Sequence, residues 1–146
     1  MSISRLGSPQ DNWVEIGTSS PTSGSVVTFS SIANYRKFRL VGWNVVLSGS
    51  NQIRITFNND TGSNYADKQS PGTTYLSGSF YATQAFDLEI EYNTQSTWKK
   101  VSGWWIDTGF YFYAGFWKDD SAITEIDLTL GSGTYTSGTF KLYGTN

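Results

Sequence analysis

Apolar residues in this chain return at every second position, segment after segment, and almost nowhere at the three-to-four-residue spacing of a helix. Between Asn51 and Asn58, Ile53, Ile55 and Phe57 fall on one side and Gln52, Arg54 and Thr56 on the other. From Phe86 to Tyr92 the apolar set is Phe86, Leu88, Ile90 and Tyr92, against Asp87, Glu89 and Glu91. Ala122, Thr124, Ile126, Leu128 and Leu130 oppose Ile123, Glu125, Asp127 and Thr129, and Phe140 and Leu142 oppose Lys141 and Tyr143. Such alternation is the mark of half-buried strands, because successive side chains of a strand point to opposite faces. Shorter candidates are Trp13 to Ile16 and Val26 to Phe29, while Tyr35 to Leu47 is long enough to bend, with Gly42 as the expected place.

Between these runs stand residues that accept positive φ or form Asx-turns, as in Gly17 to Gly24, Ser48 to Asn51, Asn58 to Asn64 and Gly131 to Gly133. Ser and Thr make up about a quarter of the chain, well above ordinary usage, yet aromatics stand at 16%, so the composition is that of β structure rather than disorder. The expectation is an all-β, antiparallel β-sandwich, jelly-roll-like, of about eight to nine strands. At 146 residues one core suffices. Residues 12–146 are expected to form a single domain behind an arm of residues 1–11, and Thr61 to Ser79 an extended loop carrying a minor strand.

The chain has no His and no Cys. A Ser-His-Asp triad, a Cys-His dyad, a thiolate metal site and an ordinary zinc centre are therefore excluded. A net charge of -2 gives no broad nucleic-acid footprint. No run of about 18 apolar residues offers a membrane span, and no apolar stretch behind Arg5 offers a signal peptide. The expectation is a soluble, non-enzymatic chain with no cofactor and no metal.

Three clusters merit attention. Asp87, Glu89 and Glu91 lie about 7 Å apart along one strand face, a spacing that a glycosidase pair tolerates. A row of outward carboxylates is more simply a solvated face, paired with cations such as Lys99 or Lys100. The oxygen-rich run Asn58 to Tyr65 could approach a calcium ion, but it has one carboxylate and no EF-hand spacing, so a polar turn fits better. Trp98, Trp104, Trp105, Phe110, Tyr111, Phe112, Tyr113, Phe116 and Trp117 fall within about twenty residues. Adjacent strand residues face opposite ways, so some of these must point outward. The candidates for a subunit interface or a glycan-stacking platform are Trp98, Trp104, Trp105, Tyr111, Tyr113 and Trp117, with closure of the open end of the sandwich as the plain alternative. Of the cations, Lys37 and Arg39 share a face opposite Arg36, as on an edge strand guarded against unwanted pairing; contact with an acidic partner is equally compatible.

Trp13-Val14-Glu15-Ile16-Gly17, Val26-Val27-Thr28-Phe29-Ser30-Ser31-Ile32, Tyr35-Arg36-Lys37-Phe38-Arg39-Leu40 and Ile53 to Tyr65 together resemble a pattern of tailed-bacteriophage virion proteins, as does the ending Ser137 to Gly144. The resemblance covers roughly the first 65 residues and the last ten, and leaves the aromatic middle unmatched. It implies a β-sandwich virion component, commonly a homotrimer, and carries over no active-site residue. With no long shaft segment in the chain, the role it implies is a small capsid decoration or cement protein, assembled in the host cytoplasm and bound to the major capsid protein. Ile3, Arg5 and Leu6 of the arm are then the capsid-contact candidates. The alternatives are a tail-associated adhesin for a host surface glycan and an isolated carbohydrate-binding module.

Overall fold

A computed structural model of the chain describes residues 12–49, 52–67, 71–77 and 84–146. Among them are eleven strands and no helix: β1 (Val14–Ser19), β2 (Val26–Phe29), β3 (Lys37–Leu47), β4 (Ile53–Phe57), β5 (Tyr65–Asp67), β6 (Pro71–Thr73), β7 (Ala85–Glu91), β8 (Lys99–Ile106), β9 (Phe110–Trp117), β10 (Ile126–Leu130) and β11 (Tyr135–Thr145). They form an antiparallel sandwich, one sheet of eight strands in the order β1-β11-β3-β7-β8-β9-β5-β6 and one of three in the order β2-β10-β4. The strand number exceeds the expected eight or nine. The short β5 and β6 arise within the stretch where a minor strand was expected.

The core lies between the sheets, and alternation builds it. From the small sheet come Val27, Phe29, Ile53, Ile55, Phe57, Ile126, Leu128 and Leu130; facing them are Phe38, Leu40, Phe86, Leu88, Ile90, Phe140 and Leu142 of the large one. Each such side chain, fully buried, is worth about 1.5–3 kcal/mol of transfer free energy. Tyr135 closes one end, its hydroxyl donating to the Leu128 carbonyl at 2.8 Å.

The structure departs from the sequence reading at several positions. The irregularity in β3 is not at Gly42. That glycine makes room for the Phe86 ring, because a Cβ there would lie 2.5 Å from the ring edge. The irregularity falls two residues later, where Trp43 pairs with Thr139 and Val46 with Ser137, so that Asn44 and Val45 oppose Gly138 alone. Asn44 has φ 52° and Gly138 φ 132°. This bulge moves the inward phase from Phe38, Leu40 and Gly42 to Val45.

Second, Ile123 is buried, whereas Thr124 is exposed. The strand begins only at Ile126, and the preceding loop is not bound by period two. Third, β7 ends at Glu91, and Tyr92 leaves the inner face with φ 67° and turns outward. Fourth, β3 is an interior strand between β11 and β7, so Lys37 and Arg39 guard no edge. They sit on the outer face of the large sheet and pair with Glu89 and Asp87.

Candidate functional site

Strands β8 and β9 form a hairpin closed by Asp107, whose carboxylate accepts the Gly109 amide at 2.9 Å. Pairing is unbroken from Lys99↔Trp117 to Ile106↔Phe110. Register alone therefore divides the aromatic run into two faces. Val101, Trp105, Tyr113 and Trp117 enter the core. Gly103 and Gly115 lie between them where the space is already taken: a Cβ at Gly103 would overlap the Asp87 carbonyl oxygen, and one at Gly115 would lie 2.8 Å from the Tyr113 hydroxyl.

Of the six aromatic candidates, Trp105, Tyr113 and Trp117 are thus core residues and offer no surface. Trp105 meets Tyr113 edge-on with centroids 6.1 Å apart. Trp117 packs 5.5 Å from Phe57 and donates its indole N–H to Asp60 at 2.7 Å. Tyr111 shares the inner phase of β9 but is partly exposed, stacked on Trp105 at 5.0 Å. Trp104 faces outward and stacks on Phe110 at 5.7 Å, and Phe110 meets Phe112 edge-on at 5.3 Å. Phe112 is 76% exposed and Phe110 56%. Across the hairpin Trp104 stands opposite Phe112 and Ile106 opposite Phe110, so the four form one contiguous apolar patch. Trp98 lies in the turn between β7 and β8, at the other end of the hairpin. Phe110 and Phe112 carry the patch, and their place on the outer phase of β9 follows from alternation once the strand's register is known.

Beside the patch, the carboxylates of β7 are tied to cations of neighbouring strands. Arg39 Nε donates to Asp87 at 2.9 Å, Lys37 stands 3.8 Å from Glu89, and Lys100 stands 3.2 Å from Glu91. The hydrogen bond and charge of Glu91 raise the Lys100 pKa above its ordinary value. Lys99, the other cation expected there, is instead fully buried. A groove of about 300 Å³ runs between Trp13, Arg39, Glu89, Ser102 and Trp104. The acidic row is an ion-paired outer face, and its members follow one another along a single strand rather than facing each other across a cleft.

The Asn58–Tyr65 loop is an internally satisfied turn. Asp60 accepts hydrogen bonds from the Gly62 amide at 2.9 Å, from Asn64 Nδ2 at 2.9 Å and from the Trp117 indole. Burial by itself would raise the Asp60 pKa, but these donors outweigh it and hold the carboxyl below its ordinary value. Asn58 accepts from the Thr124 and Glu125 amides at 2.8 and 3.1 Å and donates to the Ala122 carbonyl at 2.9 Å. Among the described residues no three His, Cys, Asp or Glu side chains gather as a metal site would require.

Ile3, Arg5 and Leu6 lie outside the described residues. Comparison with protein-family models, with characterised proteins and with solved structures finds no match for this chain.

Proposed function

We propose that this chain is a non-enzymatic structural protein that assembles with copies of itself through the outer face of β8 and β9. The observation that carries this reading is the outer-face apolar patch of the exposed Phe110 and Phe112 with the half-buried Trp104 and Ile106. Soluble monomers rarely leave contiguous apolar surface of this kind uncovered. Phe110 and Phe112 are exposed and Trp104 and Ile106 half-buried, so the patch supplies the apolar centre of an interface, with the surrounding outer face making up the rest of a standard area of roughly 800 Å² per partner. The patch is built on paired strands held by a core, and ion pairs flank it as a polar rim flanks an interface.

The setting we propose for this assembly is a bacteriophage particle, with the chain as a homotrimeric decoration or cement protein on the head. That part rests on the sequence resemblance, since the comparisons offer no relative. The outer patch joins subunits, leaving residues 1–11 as the contact to the major capsid protein. Labelling intact particles with an antibody against the chain and counting copies tests the placement: hundreds over the head are expected. A few copies at one vertex would contradict it and favour the tail-associated adhesin.

A further inference from the structure

At the end of the hairpin away from Phe112, the turn joining β7 to β8 carries Trp98 between two pockets. One, of about 370 Å³, is lined by Tyr92, Gln95, Thr97, Trp98 and Phe116; the other, of about 420 Å³, by Ser96, Thr97, Trp98, Lys118, Asp119 and Asp120. Trp98 is 54% exposed and forms their common wall, with an aromatic side towards Tyr92 and Phe116 and a polar side towards Asp119 and Asp120.

The turn is held rigidly for so exposed a segment. The fully buried Lys99 ammonium donates to the Gln95 and Thr97 carbonyls at 2.8 and 2.7 Å and to the Asp120 carbonyl at 3.1 Å, binding the two loops that flank Trp98 to each other. Burial pulls the Lys99 pKa below its ordinary value, and the charges of Asp120 and Asp119 offset part of this. Asn93, also buried, donates to the Tyr35 carbonyl at 2.7 Å and accepts the Ile123 amide at 2.6 Å. Just before Asn93, Tyr92 is kept at φ 67°, its carbonyl accepting the Gln95 amide at 3.1 Å, a conformation costly for a bulky aromatic residue.

We infer that this turn is a binding site for a neutral oligosaccharide, one pyranose ring lying on Trp98 and its hydroxyls meeting Gln95, Thr97 and the Asp119–Asp120 carboxylates. A pyranose presents an apolar C–H face and a rim of hydroxyls, which is the division of chemistry the two pockets make around Trp98. Other ligand classes fit less well. An extended peptide would add to a sheet edge, but β8 lies between β7 and β9, and β9 between β8 and β5. A phosphate or sulfate group would face the two carboxylates of Asp119 and Asp120 against the single cation Lys118, a net negative lining. The site shares no residue with the Trp104–Phe112 patch and does not depend on the assembly reading.

The test is isothermal calorimetry on the full chain with cellotetraose, chitotetraose and maltotetraose, each taken to roughly 10 mM, well above the ~1 mM dissociation constant of a weak site. The expected result is saturable binding of at least one of them. Trp98→Ala should weaken it by about tenfold or more, Gln95→Ala should also weaken it, and Trp104→Ala should leave it unchanged. Near-UV circular dichroism establishes that the variants are folded. No saturable heat with any of the three, or equal binding by Trp98→Ala, overturns the inference.

Discussion

Asp60 shows how much one side chain can organise. Its carboxylate satisfies an amide, an asparagine and the indole of a tryptophan that is otherwise in the core. Replacing it with alanine strands the buried Trp117 N–H, at a cost of about 1–3 kcal/mol at neutral pH. The folded carboxyl titrates below the ordinary value of 3.8, so its contribution is complete above that pH and is lost as pH falls through the folded pKa. Urea unfolding of wild type and Asp60→Ala should therefore differ most at pH 7, and the gap should narrow as pH falls below 3.8; an unchanged gap would show that the charge is not what matters. Gly103 is a second decisive position. A Cβ there runs into the backbone of Asp87 rather than into a side chain that can turn aside. Gly103→Ala should lower stability by about 3 kcal/mol, at the upper end of overpacking costs, and a wild-type denaturation midpoint would contradict the close approach. Neither role was legible in the sequence. A lone Asp in a polar run and a Gly beside two Trp carry no mark of the distant partners that give them meaning.

At the scale of the element, alternation located β4 and β7 and their buried residues directly, and of β11 it found Phe140 and Leu142 but not the buried Tyr135, which lies before the register shifts of that strand. It failed where the period was interrupted. The bulge at Asn44 and Gly138 shifts the phase of β3 by one residue, and Gly42, the more conspicuous glycine, turned out to be a recess for Phe86. Gly138→Ala places a side chain at φ 132° with its Cβ 3.0 Å from Val45 Cα. It should cost about 1–2 kcal/mol in chemical denaturation while leaving the small sheet's signals in an NMR spectrum in place. A neutral effect would mean that the bulge is easily relocated. The sorting of the aromatic run was half legible in the same way. That Trp104 and Trp105 must part company follows from strand geometry, but which of them enters the core depends on pairing with β7 and β9. Lys99 and Asn93 were beyond reach: a buried ammonium is recognised only by the three carbonyls that surround it.

For the whole molecule, one sandwich presents two distinct aromatic surfaces at opposite ends of a single hairpin. At one end Trp104, Ile106, Phe110 and Phe112 make an apolar patch whose side chains hold one hydrogen-bonding group, the Trp104 indole N–H; at the other, Trp98 stands among amides, hydroxyls and carboxylates. The surplus of aromatic residues is thus divided between core, patch and turn. Self-assembly of the chain rests on the patch. Sedimentation velocity of the wild type and of the Phe110→Ser, Phe112→Ser double variant, followed over a dilution series, addresses it directly. The prediction is a wild-type homotrimer that persists on dilution and a double variant that sediments as a monomer while keeping the near-UV circular dichroism of a folded chain. A wild type that is monomeric throughout, or a double variant that sediments as the wild type does, would contradict it.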